Sequence, residues 1–357
     1  MFNNSQARLI IVRNRILREI YTMSSSNLPL VAITMGDAAG IGPEITIKAL
    51  AGGEFDEKCR CVIVGDRVQL LRVSSELGIS IELPAFDAGA IGQNVTVLDL
   101  KNLRDEFTIG VDADVTGKAS AEYIEAAVGL WRENKADAIC TAPISKKALA
   151  LGGYDYPGHT EFLADLTATK KFAMSFFGGD LRVVLLSTHL SLRHALDLVK
   201  KERLIDLIRF SSTELAKLLK RPVSLAVAGL NPHASEDGMF GSEEHDEIAP
   251  AVAYCRETEG INVHGPFSPD TVFVRASRGE FDAVIALYHD QATIPVKALA
   301  FGSAVNVTLG LPLIRTSVDH GTAFDIAGSG VAEASSMKAA IGLAADLAIG
   351  SRKTAHI

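Results

Sequence analysis

Four histidines in short polar turns are the residues whose type and setting most clearly indicate chemistry: His159, His189, His233 and His289. Imidazole nitrogen suits zinc, and catalytic zinc sites use three protein ligands and one open position. The four histidines are far apart in the sequence, so they form no compact metal motif such as H-E-x-x-H. The residues alone leave two interpretations open, a metal centre assembled by the fold or separate structural histidines.

A second, mainly cationic set lies near the C-terminal end: Lys297, Asn306 and Arg315. Arginine binds phosphate through parallel N–H groups, and lysine supplies a point charge. Lys297 stands among apolar residues and Arg315 precedes Thr316 and Ser317, which predicts partial burial. We therefore interpret this set as a site for an anionic group, with solvated surface charge as the alternative.

Two glycine-rich segments are candidates for cofactor binding. Residues 35–44 follow a predicted strand and open a predicted helix, a setting in which backbone N–H groups can face an anion. Their spacing matches neither G-x-G-x-x-G nor a P-loop, so a tight turn is an equal alternative. Residues 319–330 carry Asp325, and an acidic side chain near a nucleotide can accept hydrogen bonds from a ribose hydroxyl and repel a 2′-phosphate. A turn with a helix cap is the alternative there.

The elements that must position these residues alternate along the chain, which is typical of an α/β protein with parallel sheets covered by helices. Short β-branched apolar runs predict strands at 30–34, 61–64, 138–141, 183–187, 223–228, 283–287 and 304–308. Longer patterns predict helices at 43–51, 120–133, 190–201, 204–219 and 332–349. Most of the polar turns follow predicted strands, and ligands of open α/β sheets bind at the carboxyl ends of the strands.

Composition limits the class of protein. A chain of 357 residues favours two domains at roughly 150 residues each, and a net charge of -8 argues against a general nucleic-acid surface. We interpret the four cysteines as reduced thiols in a reducing, cytoplasmic compartment. No apolar run approaches the ~18 residues of a membrane span. Residues 1–23, with four arginines and one acidic residue, are predicted to be a dispensable tail.

Several motifs, taken together, resemble the 4-hydroxythreonine-4-phosphate dehydrogenase family. The resemblance runs in order from about Val31 to Ala348. Its motifs are Gly36-Asp37-x-Ala39-Gly40-Ile41-Gly42-Pro43-Glu44, Tyr156-Pro157-Gly158-His159-Thr160-Glu161, Asn231-Pro232-His233-Ala234, Pro269-Asp270-Thr271, Tyr288-His289-Asp290-Gln291 and Ile314-Arg315-Thr316-Ser317-Val318-Asp319-His320-Gly321-Thr322.

The resemblance implies a two-domain fold like that of isocitrate and isopropylmalate dehydrogenases, with the active site in a cleft. It implies a nucleotide-binding α/β domain of residues 24–152 plus 300–357, and a metal, substrate and dimerisation domain of residues 153–299. It also implies a homodimer that shares a divalent metal, zinc first, with magnesium or cobalt as alternatives.

The resemblance also assigns residues. The metal ligands would be His189, His233 and His289, with His289 expected from the partner subunit. The substrate contacts would be His159, Thr160, Lys297, Asn306 and Arg315. The segment that contains His320, Gly321 and Asp325 is similar to the adenosine-binding loop of isopropylmalate dehydrogenases, with Asp325 predicted to select NAD over NADP.

The activity implied is NAD-dependent oxidation at C3 and decarboxylation of a 4-phosphorylated four-carbon 3-hydroxy acid. A carboxylate, Asp270 or Asp290, is the candidate proton acceptor or metal-shell group. The substrate would be 4-phosphooxy-L-threonine in the branch of vitamin B6 synthesis, or 4-phospho-D-threonate or 4-phospho-D-erythronate in a catabolic branch, which the pair Met239-Phe240 resembles more. A metal-dependent lyase or phosphatase, and a non-catalytic phosphometabolite-binding protein, are the alternatives.

Overall fold

The computed structural model describes residues 28–87, 93–103, 106–300 and 302–354. The predicted tail, residues 1–23, lies outside the described residues. In the part of the chain described, no helix is both long and apolar enough to cross a membrane.

Within the described residues, eleven strands form one sheet in the order β3-β2-β1-β4-β11-β10-β5-β6-β9-β7-β8. Their bounds are β1 Leu30–Thr34, β2 Arg60–Gly65, β3 Val95–Asp99, β4 Ala138–Thr141, β5 Ala173–Gly178, β6 Leu181–Leu185, β7 Leu225–Ala228, β8 Val263–Phe267, β9 Ala283–Ala286, β10 Val305–Leu309 and β11 Ile314–Ser317.

The α-helices of the described residues connect and cover these strands. They are α1 Gly42–Leu50, α2 Arg67–Glu76, α3 Asp114–Arg132, α4 Lys146–Leu151, α5 His159–Leu166, α6 Leu192–Asp197, α7 Lys201–Leu219, α8 Ala249–Glu257, α9 Val272–Ser277, α10 His289–Leu299 and α11 Ser335–Thr354.

Most neighbouring strands run parallel, and the antiparallel pairs are β10 with β11, β10 with β5, and β5 with β6. The predicted α/β class with a parallel-rich sheet is therefore confirmed. In the sheet order, the strands of residues 24–152 plus 300–357 (β1–β4, β10 and β11) are contiguous, and so are the strands of residues 153–299 (β5–β9). The division into two domains with these boundaries stays a prediction.

The central strands are buried along their whole length, as in β1, β4 and β9. Helices cover both faces of a parallel sheet, so its strands need apolar side chains on both faces. One apolar cluster extends under β1, β2, β4 and α3, and a second lies between β6, β9, α9 and α10. These cores fix the strand ends from which the functional side chains project.

The carboxyl ends of β6, β9 and β7 lie side by side, because these three strands are parallel neighbours. His189, His289 and His233 each follow one of them in the chain. The carboxyl ends of β4 and β11 are likewise adjacent, since these strands are also parallel. The polar turns thus meet at the edge where α/β sheets bind ligands.

Candidate functional site

A cleft of about 410 Å³ opens where these strand ends face the first turns of α5 and α10. Its lining includes most of the side chains predicted from the sequence: His159, Thr160, His189, His289, Asn306, Arg315, His320 and Gly321. The lining does not include His233, Asp270, Asp290, Lys297 or Asp325. The fold therefore assembles one site from motifs that are far apart in sequence.

Arg315, on β11, is a buried cation at one end of the cleft and is only 3 % exposed. Its guanidinium donates to Thr141 Oγ1 at 2.9 Å, Thr308 Oγ1 at 3.1 Å and Asn306 Oδ1 at 3.4 Å. Its Nε has no hydrogen-bond partner among the described residues, and no described carboxylate pairs with it. Burial lowers the pKa of Arg315 to about 10.

A buried charge is costly unless it is paired, so a guanidinium held only by neutral oxygens fits an anionic ligand. His159 and Thr160 add to this end of the cleft because α5 begins there, and the N-terminus of a helix attracts anions. We call His159, Thr160, Asn306 and Arg315 the guanidinium end.

His159 keeps part of its surface exposed, but its Nε2 is buried and has no hydrogen-bond partner in the described structure. Burial holds the pKa of His159 well below its ordinary value, and the charge of Arg315 lowers the pKa further, against a hydrogen bond to the Ala142 carbonyl. The ring is therefore neutral at pH 7. The hydrogen bond to Ala142 uses the single N–H of the neutral ring, so Nε2 is an acceptor and would donate to an anion only after the ring takes up a proton.

His189 and His289 lie at the other end of the cleft, with ring centroids 5.7 Å apart. Two imidazoles on one tetrahedral zinc ion, with Zn–N bonds near 2.0–2.1 Å, would place their centroids about 5 Å apart. The observed pair is close to that separation. Partial desolvation of the largely exposed ring, and then the charge of Lys146, lower the pKa of His189, which favours the neutral, metal-binding form. We call His189, His289 and Lys146 the imidazole end.

Asp290 lies beside His289, whose Nδ1 donates to Asp290 Oδ1 at 2.7 Å. Side chains of neighbouring residues on a strand face opposite ways. His289 and Asp290 are instead the first two residues of helix α10, so their side chains are able to contact each other. The contact leaves Nε2 of His289 free to bind a metal, and a carboxylate that orients a ligating histidine is a common feature of metal sites.

His233 is exposed and does not join this pair in the same chain. Accordingly, the described residues contain no group of three histidine, cysteine or acidic side chains that could hold a metal. One chain supplies two imidazoles that fit a divalent ion, and the third ligand is not among its neighbours. His289 lies beside His189 within one chain, and the expected contribution of His289 by the partner subunit stays a prediction.

Three other predicted residues lie outside the cleft. Asp270 follows β8 at the edge of the sheet and accepts from Ser268 Oγ at 2.5 Å. Lys297 is exposed on α10, with Nζ 3.4 Å from Asp319, which lines the cleft rim. Asp325 is exposed in a turn well before α11, so it does not cap that helix.

The glycine-rich segment at residues 35–44 is a tight turn, the second of its two interpretations. The N–H groups of Asp37, Ala39, Gly40 and Ile41 already donate to protein oxygens, so they offer no cradle for an anion. The N–H of Ile41 donates to the Thr322 carbonyl at 3.0 Å. Through this hydrogen bond, the turn at residues 35–44 packs against residues 319–330.

Sequence reasoning missed Thr141 and Lys146, which both line the cleft. Thr141 ends β4 and Lys146 opens α4, a helix of six residues that is too short for a periodic pattern. The position of Thr141 at the carboxyl end of a buried strand was the available signal. Glu161 also lines the cleft, where it is a carboxylate near Arg315 and His189.

Comparison with known proteins identifies the family. The sequence profile of the family described as pyridoxal phosphate biosynthetic protein PdxA matches residues 57–344. The chain belongs to the PdxA family. The predicted resemblance is thereby confirmed.

Relatives within this family carry two substrate names. The D-threonate 4-phosphate dehydrogenase of Cupriavidus necator is 44 % identical over 330 residues, which cover 91 % of this chain and 98 % of the relative. The solved 4-hydroxythreonine-4-phosphate dehydrogenase of Klebsiella pneumoniae is 43 % identical, with 90 % of this chain and 99 % of that one covered and a TM-score of 0.82.

A more distant solved structure, the terephthalate 1,2-cis-dihydrodiol dehydrogenase of Burkholderia xenovorans, is 29 % identical over 89 % of this chain and 97 % of that chain, with a TM-score of 0.61. The substrate in its name carries no phosphate. Similarity of fold therefore does not by itself specify a phosphorylated substrate. The evidence for a phosphate must come from the side chains that line the cleft.

Proposed function

We propose that this chain is a dehydrogenase that oxidises C3 of a 4-phosphorylated four-carbon 3-hydroxy acid with NAD and releases carbon dioxide. The observation that carries the proposal is the guanidinium end, where a buried Arg315 has no carboxylate partner among the described residues. A phosphate would supply the missing counter-charge, and arginine matches it with parallel N–H groups. His159 Nε2, Thr160 and Asn306 complete the lining, and Lys297 would act only from the rim.

The imidazole end supports a divalent metal, with zinc as the first choice. When bound, such an ion acts as a Lewis acid that stabilises negative charge on a substrate oxygen. His189 and His289 would hold it from one chain and Asp290 would orient His289. His233 is then the ligand that a second copy would supply, in place of His289, which the resemblance assigned to the partner subunit.

A homodimer with a shared site follows from this assignment. Large apolar side chains are exposed near the histidine-bearing turns: Leu190, Leu192, Met239, Phe240 and Ile294. Met239 is 73 % exposed and Ile294 is 66 % exposed, and large apolar side chains exposed on a folded protein are candidates for an interface. Burial of this surface against a second copy would close the cleft at the imidazole end.

The proton acceptor at C3 would be Asp270 or Asp290. Asp290 already pairs with His289, so it fits the orienting role better. Asp270 lies outside the cleft of its own chain and would have to enter from a second copy.

The nicotinamide cofactor would bind along residues 319–330, where His320 and Gly321 line the cleft. When bound there, the nicotinamide would supply the hydride acceptor for oxidation at C3. Asp325 is exposed on the same segment and would favour NAD, because a 2′-phosphate would meet a like charge.

Of the substrates, we favour the two catabolic acids, 4-phospho-D-threonate and 4-phospho-D-erythronate. Support comes from the Met239-Phe240 pair and from the name of the Cupriavidus necator relative.

A screen for nicotinamide reduction tests the proposal. Full-length protein with zinc would be given 4-phospho-D-threonate, 4-phospho-D-erythronate or 4-phosphooxy-L-threonine, each with NAD or NADP. We expect NADH and carbon dioxide from at least one acid, a preference for NAD, and a smaller preference in an Asp325→Asn variant.

Two results would contradict the proposal. Product release that does not need a nicotinamide would identify a lyase or phosphatase. Tight binding of the phosphorylated acids without turnover under any condition would identify a binding protein.

A further inference from the structure

Lys146 is a cation in the cleft that the proposed reaction has not used. It lines the cleft, yet among the described residues its ammonium makes no hydrogen bond or ion pair. Its neighbour Lys147 differs in both respects, because it does not line the cleft and its Nζ lies 3.5 Å from Asp112. Two adjacent lysines on one helical turn therefore have different surroundings: Lys146 faces the cleft and Lys147 pairs with Asp112.

The backbone holds Lys146 in this position. Ser145 caps α4, since its hydroxyl accepts from the N–H of Ala148 at 3.2 Å and donates to Asp112. Lys146 is the first residue of the helix, where the helix dipole disfavours a cation. Lys146 is exposed and has no protein partner among the described residues, so its ammonium is available to an anion that enters the cleft.

The position of Lys146 relates it to both ends of the cleft. Its Cε lies 4.0 Å from the point that a β-carbon would occupy on Gly158, directly before α5. Lys146 also lines the same cleft as His189 and His289, which form the imidazole end. Lys146 thus supplies a second cationic centre in the cleft, separate from Arg315.

The substrate proposed above has two anionic groups, a phosphate on C4 and a carboxylate on C1. Arg315 accounts for the phosphate. We propose that Lys146 binds the C1 carboxylate and so makes the enzyme specific for acids over neutral analogues. An ammonium offers three donors to such a group. This assignment rests on the proposed function, because it assumes a substrate with an acid at one end and a phosphate at the other.

Binding measurements on the full-length chain test the assignment without requiring turnover. Isothermal titration calorimetry would compare 4-phospho-D-threonate with its C1 amide, which has no charge at C1. We expect the wild-type chain to bind the acid at least about tenfold more tightly, equivalent to about 1.4 kcal/mol. Lys146→Met should remove most of that preference and leave binding of the amide nearly unchanged. Lys146→Arg should keep it.

Lys147→Met is the matched control, since it removes the same charge from the same helical turn outside the cleft. It should retain the preference for the acid. Equal weakening of acid and amide in Lys146→Met would overturn the assignment, as would a wild-type chain without preference. An altered pH profile of kcat with an unchanged acid-to-amide ratio would instead identify Lys146 as a proton carrier and also overturn it. Failure of the proposed function is seen separately, as the absence of NADH formation by the wild-type chain.

Discussion

The two ends of the cleft are built differently. At the guanidinium end, Arg315 is buried and held by Thr141 and Thr308, which lie on neighbouring strands of a continuous sheet. At the imidazole end, His189 is exposed, and His289 is oriented by an Asp290 that is itself largely exposed. The first end is complete within one chain, whereas the second has two imidazoles and an open surface.

This difference indicates that the two ends have different functions in binding. Buried polar groups held by fixed partners are pre-organised, so the guanidinium end should bind its anion with little rearrangement. The imidazole end should depend on what is added to it, namely a metal and a second copy of the chain. Loss of a single side chain should therefore lower kcat/KM more at the imidazole end than at the guanidinium end.

The largest effect is expected at the imidazole end. His189→Ala and His289→Ala should each lower kcat/KM more than about 100-fold and abolish stoichiometric metal binding, because changes even in the groups that orient metal ligands cost about 10–100-fold. Metal content measured by mass spectrometry, together with NADH formation, checks both losses.

His194→Ala is the control, since His194 is exposed on α6 and does not line the cleft. It should retain its metal and its activity. A His289→Ala enzyme that stays fully active in the presence of a chelator would eliminate the metal assignment.

A smaller but more selective effect is expected at the guanidinium end. Loss of a buried charged contact costs about 2–5 kcal/mol, so Arg315→Ala should weaken kcat/KM for the phosphorylated acid at least about 30-fold. The same change should have little effect on a substrate without phosphate. The ratio of the two kcat/KM values is the measurement, because it is insensitive to partial unfolding.

Arg182→Ala provides the comparison. Arg182 is half-buried on β6, with a pKa that burial also lowers, but it lies outside the cleft. This variant should be less stable without any change in the ratio. An unchanged ratio in Arg315→Ala would show that Arg315 does not bind the phosphate.

The parts of this molecule that the sequence predicts best are those governed by burial. Strands β1, β4 and β9 are apolar runs buried on both faces, and their positions agree closely with the pattern. The pattern does not predict α10, because Pro295 interrupts it and polar residues open it. Nor does it predict β8, whose Val-His-Gly-Pro-Phe sequence is only partly buried.

The candidate site was predictable only as a set of residue types. Spacing cannot show that His189 and His289 lie side by side, because that depends on the pairing of β6 with β9. It also cannot separate Lys146 from Lys147, since only the direction of a short helix places one in the cleft and the other beside Asp112. These relations arise from tertiary packing.

The smallest predicted effect concerns the pH dependence of stability through His159. In the folded chain burial and Arg315 hold the pKa of His159 well below its ordinary value, so the ring stays neutral, whereas the unfolded chain takes up a proton near pH 6.5. Stability should therefore decrease as the pH falls through 6.5. Urea unfolding at pH 7.5 and 5.5, for wild type and His159→Gln, measures it. The variant should lose less stability on acidification than wild type.

The difference should also shrink when a phosphate ester is bound, because the anion offsets the charge of Arg315 and favours a protonated ring. Equal pH dependence in the two proteins would show that His159 is not held neutral, and the guanidinium end would then be less enclosed than its geometry indicates.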